Sequence, residues 1–280
     1  MKTESGSMPG ARGVTLHTVV WSPEDEPAID LVLAHGYGEH SGRYEPVAEL
    51  FTEHGMRVWA LDHRGHGRTT GVKRGVVDSF EALVDDLSGV VDRAKASGAG
   101  TERPLFLYGH SMGGLAVTRL AERGDAAFAG VIASSSALKP APSIPTALVT
   151  VGNVLGKVAP DLPAVGLDKE GISRDQAVKD DYAQDDLNYR GKLTAGTGRQ
   201  LNIAMTAGLA EAPKITCPLL IMHGTADTVT PAEGSLELFE RVESEDCTLH
   251  LWRHCFHELH HEPEKGDVFE LVFNWIDARR

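Results

Sequence analysis

The chain has 280 residues, of which 41% are hydrophobic and 24% charged, a balance that excludes a disordered or collagen-like polymer. Its 27 Lys and Arg against 40 Asp and Glu leave a net charge of −13, so phosphate backbones and anionic membrane surfaces are repelled and no nucleic-acid partner is expected. Cys217, Cys247 and Cys255 are an odd, sparse set with no C-x-x-C pair, which argues against a disulfide framework or a cysteine zinc site and fits a reducing, cytoplasmic compartment.

Residues 1–13 are polar and lack the apolar h-region of a secretory signal; they read as a disordered or vector-derived tail. No run approaches the ~18–20 apolar residues of a membrane span. Val14 to Trp21 has a hairpin-like pattern. Leu31–His35, Arg57–Leu61, Pro104–Tyr108, Gly130–Ala133, Pro218–Met222 and Thr248–Trp252 are short apolar runs typical of strands buried on both faces. Helical stripes lie between them. One starts after a cap at Asp78 or Ser79 and carries Phe80, Leu83, Val84, Leu87, Val90, Val91 and Ala94; the last begins near Gly266. This alternation predicts an α/β fold, a mostly parallel central sheet flanked by helices. From 138 to 212 the rhythm stops. That stretch reads as a helical cap inserted after the sixth strand, leaving 14–137 and 213–280 as the core.

Gly109-His110-Ser111-Met112-Gly113 fits G-x-S-x-G between an apolar strand and an apolar helix, the setting of a nucleophile elbow. A serine hydroxyl needs a base, and the base an orienting acid. In this architecture both follow the serine, each after a later strand. Asp227 supplies the acid. The histidine cluster His254, His257, His260 and His261 supplies the base; His257, on the loop ahead of the last helix, is the expected one. Its companions are expected to be solvated, and no zincin-type spacing points to a metal. The backbone N–H groups of Met112 and Tyr37 are placed to hold an oxyanion. Asp62-His-Arg-Gly-His-Gly-Arg68 reads as a glycine-shaped turn whose charges brace the loops around the site.

Together with His35-Gly-Tyr-Gly-Glu-His-Ser-Gly-Arg-Tyr44, Ile172-Ser-Arg-Asp175, His223-Gly-Thr-Ala-Asp227 and His257-Glu258, these motifs resemble the monoacylglycerol lipase family of α/β-hydrolases over about Leu31 to Trp275. The resemblance implies ester hydrolysis without cofactor or metal, a cap enclosing an apolar acyl tunnel, and a polar glycerol end faced by Glu39, Arg43, His110 and Tyr182. The family often has glycine at 254, proline at 186 and serine at 69, where this chain has His254, Asp186 and Thr69. The apolar cap residues Ile144, Leu148, Val149, Val151, Val154, Leu155 and Val158 suit a lipid ester and contact with a membrane or micelle. Lysophospholipase or general carboxylesterase activity, and a non-catalytic binding role, are the alternatives; oligomeric state stays open.

Overall fold

The computed structural model describes residues 1–97, 103–124, 127–166 and 168–280. In chain order its elements are β1 (Lys2–Pro9), β2 (Thr15–Ser22), β3 (Ile29–Ala34), α1 (Glu45–Glu53), β4 (Met56–Leu61), α2 (Phe80–Ser97), β5 (Leu105–His110), α3 (Met112–Ala121) and β6 (Gly130–Ser134). The inserted stretch supplies α4 (Thr146–Val158), β7 (Pro163–Val165), α5 (Gln176–Gln184), β8 (Leu193–Thr194) and α6 (Ala195–Glu211). The core resumes with β9 (Leu219–Gly224), α7 (Ala232–Arg241), β10 (Cys247–Trp252) and α8 (Lys265–Asp277).

Eight strands form one sheet in the order β1-β2-β4-β3-β5-β6-β9-β10. The β1–β2 and β2–β4 pairs are antiparallel and the other five are parallel. The two-residue period of a strand divides each parallel strand between two cores. On one face Leu31, Leu33, Phe106, Tyr108 and Leu220 meet residues of α1 and α8 such as Phe51, Val272 and Ile276. On the other, Val32, Leu107, Val131 and Ile221 meet residues of α2, α3, α6 and α7. Each fully buried Leu or Ile contributes about 1.5–3 kcal/mol, so both layers are needed to offset chain entropy.

The N-terminal segment departs from expectation. Lys2–Pro9 is not a loose tail but the edge strand β1, paired with β2 from Lys2↔Ser22 to Pro9↔Thr15. Its outward position explains the polar composition: edge pairing uses backbone groups, and nearly all its side chains face water. Arg64, fully buried, anchors the turn after β1 by donating to Ala11 O (2.8 Å) while pairing with Asp86 and Asp78. The turn read as a brace is one. Asp62 accepts from Ser41 N (2.9 Å), Ser41 Oγ (2.6 Å) and Arg68 N (2.7 Å). Thr69 keeps the hydroxyl of the family's serine, donating to Asp62 O and accepting from His17 N.

Candidate active site

β5 runs into α3 through Ser111, which sits at φ 55°, ψ −116°, a strained conformation held by its surroundings. Glycine permits the crossing: a Cβ at 109 would strike Gly113 O, and one at 113 would strike Ala34 O. Two bonds fix the elbow, Ser111 N to Ser134 O (3.0 Å) and Ala137 N to Ser111 O (3.0 Å).

Asp227 stands on the turn after β9. Its Oδ1 accepts from Val229 N (2.8 Å) and Thr230 N (2.9 Å), which orients the carboxylate. Oδ2 accepts from His257 Nδ1 at 2.7 Å and from Thr230 Oγ1 at 3.0 Å. The structure adds an interaction that the sequence reading missed: His223 Nε2 lies 3.1 Å from the same oxygen, with its Nδ1 on Ser235 Oγ (2.7 Å). The signal was the i, i+4 spacing of His223 and Asp227. Burial raises the Asp227 pKa, but the His257 charge and the bonds from His223 and His257 overcome it and hold the carboxyl below its ordinary range. Burial lowers the His257 pKa, and the Asp227 charge overcomes that, leaving the imidazole above its ordinary 6.5.

Ser111 and His257 both open onto one cavity of about 390 Å³, whose wall also includes Tyr37 and Met112. The Met112 amide precedes the first α3 hydrogen bond, Leu115 N to Ser111 O, so it is free of the helix. Gly36 lets the Tyr37 loop come close: a Cβ there would lie 3.1 Å from Ser111 Cβ.

Of the four residues implied for the glycerol end, Glu39, His110 and Tyr182 line the cavity and Arg43 does not. Arg43 is consumed behind the wall. It donates to Glu39 Oε2 (2.5 Å) and bidentately to Glu258 (2.8 and 2.8 Å), and lies 5.0 Å over the Tyr182 ring. Glu39 also accepts from Gly36 N (2.5 Å) and Tyr44 OH (2.7 Å), so its charge holds the loop that carries Tyr37 in place. Burial raises the Glu258 pKa, and Arg43 and His261 overcome it.

The companion histidines are not all solvated. His254 is exposed, His261 bonds Glu258 Oε2 at 2.7 Å, and His260 is buried, stacked on Tyr44 (4.8 Å) and edge-on to His110 (4.8 Å). Burial lowers the His260 pKa and so favours the neutral imidazole, whose two ring nitrogens have no hydrogen-bond partner among the described residues. His254 has φ 63°, a conformation that glycine adopts without strain, which accounts for the glycine often found there in the resembled family. Glu258, His260 and His261 lie close enough together for a cation, as do Cys255, Glu262 and Glu264. Arg43 and Arg174 already occupy the carboxylates of these two groups.

The insertion roofs the cavity in two unlike halves. Ile144, Leu148, Val149 and Leu155 line it from the α4 side. The α5 side is fastened to the loops on either side of Tyr37 and His257: Glu258 N to Ile172 O (2.7 Å), Tyr182 OH to Gly38 O (3.1 Å), His40 Nε2 to Asp185 Oδ2 (2.8 Å) and Arg174 Nε to Glu262 Oε2 (2.6 Å). The side chains of α4 make no hydrogen bond to the core among the described residues.

This sheet, elbow and inserted roof define an α/β-hydrolase. A profile described as serine aminopeptidase, S33, matches residues 25–264. A monoacylglycerol lipase of Mycolicibacterium smegmatis is 38% identical over 271 residues, covering 96% of this chain and 95% of the relative. The monoglyceride lipase of Homo sapiens is 36% identical over 273 residues, 96% of this chain and 89% of that one. The crystal structure of Paleococcus ferrophilus monoacylglycerol lipase superimposes with a TM-score of 0.81 at 33% identity over 100% of both chains. The chain therefore belongs to the monoacylglycerol lipase family of α/β-hydrolases. No helix among the described residues is long and apolar enough to cross a membrane.

Proposed function

We propose that this protein is a carboxylic ester hydrolase that cleaves monoacylglycerols to fatty acid and glycerol through an acyl-enzyme. Ser111 Oγ attacks the ester carbonyl and passes its proton to His257 Nε2. Asp227 keeps His257 Nδ1 protonated and stabilises the imidazolium. The Tyr37 and Met112 amides receive the oxyanion, each such donor contributing about 10²–10³ in rate. His257 then protonates the departing glycerol oxygen, and water, deprotonated by the same imidazole, releases the acid. The carrying observation is the 2.7 Å Asp227–His257 bond at one end of a largely apolar cavity that also holds Ser111.

The polar end supports a neutral alcohol. Two carboxylates, Glu39 and Glu258, share one guanidinium, leaving that region acidic and unwelcoming to the phosphate of a lysophospholipid. The outer side of α4 shows Val151, Val154 and Val158 at 52%, 62% and 71% exposure, which supports an apolar contact with a micelle or bilayer.

The test measures release from monoacylglycerols, diacylglycerols and lysophospholipids of several chain lengths, with Ser111→Ala as control. Monoacylglycerols are expected to be the best substrates, and a fluorophosphonate to label wild type but not Ser111→Ala. Preference for short soluble esters over every monoacylglycerol would remove the lipase reading. An active, fully labelled Ser111→Ala would remove the mechanism.

A further inference from the structure

β10 ends the sheet, and no strand lies beyond it among the described residues. Its pairing with β9 includes Leu219 N to Asp246 O (2.9 Å) and Thr225 N to Trp252 O (2.9 Å). The two-residue period therefore turns the backbone groups of Asp246, Thr248, His250 and Trp252 toward β9, and those of Cys247, Leu249 and Leu251 outward. The other edge is protected: β1 carries Lys2, Glu4 and a terminal Pro9. β10 has no Lys, Pro or bulge within its six residues.

The sequence around that open edge is self-complementary. Glu245 precedes the strand and Arg253 follows it; both are exposed, and neither has an ion-pair partner among the described residues. An antiparallel pairing of two β10 strands about a two-fold axis through Leu249 sets Leu249 against itself, Cys247 against Leu251, and Glu245 against Arg253. The first two are hydrogen-bonded positions of one ladder; Glu245, in a bend, and Arg253, in a turn, lie one or two residues beyond its ends, within side-chain reach of each other. Cys247 and Leu249 pack on the α7 side of the sheet. The same face shows Leu251 at 38% exposure, and the helix packed there, α7, exposes Leu236 (38%) and Phe239 (39%).

We infer that β10 is an interaction surface for a second copy of this chain, joining the two eight-stranded sheets into one across an isologous two-fold interface. Main-chain bonds supply the ladder, the α7 apolar residues flank it, and two Glu245–Arg253 pairs fix the register and direction.

The experiment is the mass of the full chain by sedimentation equilibrium over a dilution series, at low and high salt. The expected species is a dimer that weakens with salt. Arg253→Glu and Glu245→Arg each place like charges opposite one another twice and raise the dissociation constant about tenfold. The double reversal recreates both pairs and restores it. Leu249→Cys, on the axis with Cα atoms about 5.5 Å apart, forms an intermolecular disulfide on oxidation that wild type does not. A monomer at every concentration overturns the proposal. So does a dimer that ignores both single reversals and leaves Leu249→Cys uncrosslinked. Circular dichroism and ester turnover check that each variant is folded; Glu245 and Arg253 are exposed, and the half-buried Leu249 is the position that most needs this control.

Discussion

Asp227→Asn tests the relay at its most constrained atom. Val229 N and Thr230 N both donate to Oδ1, so the amide oxygen of the variant must keep that position. Its NH₂ then faces His257 Nδ1, where the carboxylate accepts a bond at 2.7 Å. Two donors cannot share that contact. The imidazole shifts its proton to Nε2, the nitrogen required to accept from Ser111. Wrong-tautomer substitutions of this kind lower kcat by about 10⁴, on the order of 5 kcal/mol in the barrier. The pH profile gives a second readout. In wild type the raised His257 pKa places the acid limb of kcat/KM above 6.5, with activity lost as pH falls through it. In the variant, burial remains while the opposing charge is gone, so the residual activity has its acid limb below 6.5. The assay is kcat/KM for a soluble chromogenic ester from pH 5 to 9. A loss of less than tenfold with an unmoved acid limb would refute the assignment of Asp227.

Gly152 lines the cavity from α4, and a Cβ there meets nothing within 4 Å. Gly152→Phe should displace about three methylenes of a long acyl chain, roughly 2.4 kcal/mol or about 60-fold in kcat/KM, while short esters are unaffected. Arg43→Met leaves Glu39 and Glu258 buried without their cation and should destabilise the fold by about 3–5 kcal/mol, read as a lower urea midpoint. Burial holds the pKa of His35 at about 4 and those of His66 and His110 at about 3, so at pH 5 they take up protons only on unfolding. Each then withdraws about 2 kcal/mol of stability as pH falls from 7 to 5, against a smaller opposite contribution from the raised His257; the thermal midpoint should drop on the order of 10 °C. Val154→Asp should slow hydrolysis of vesicle-borne monoacylglycerol several-fold without changing turnover of a monomeric ester, as measured with both substrates.

The parallel strands and the elbow were legible because each has a local cause. A strand buried on both faces must be apolar throughout, as Leu31–Ala34 is, and a Ser at positive φ between a strand and a helix needs small neighbours. That Asp227 and His257 would meet was readable from order along the chain, and a 2.7 Å hydrogen bond joins them. β1 was not, because an outer strand carries no apolar period. The fate of Arg43 was equally hidden. Resemblance placed it facing glycerol, whereas two carboxylates from distant segments, 39 and 258, claim it behind the wall. His260 was misread for the same reason: its neighbours Tyr44 and His110 come from elsewhere in the chain.

The unequal attachment of the roof has a consequence for traffic through the site. Residues 172–185 are riveted to the loops that carry Gly38, His40, Glu258 and Glu262, so displacing them would unseat the machinery itself. The side chains of α4 itself make no such bonds among the described residues, and the helix is held by packing on α6. If the proposed lipid ester enters through the roof, the α4 flank is where a door can swing without disturbing the lock.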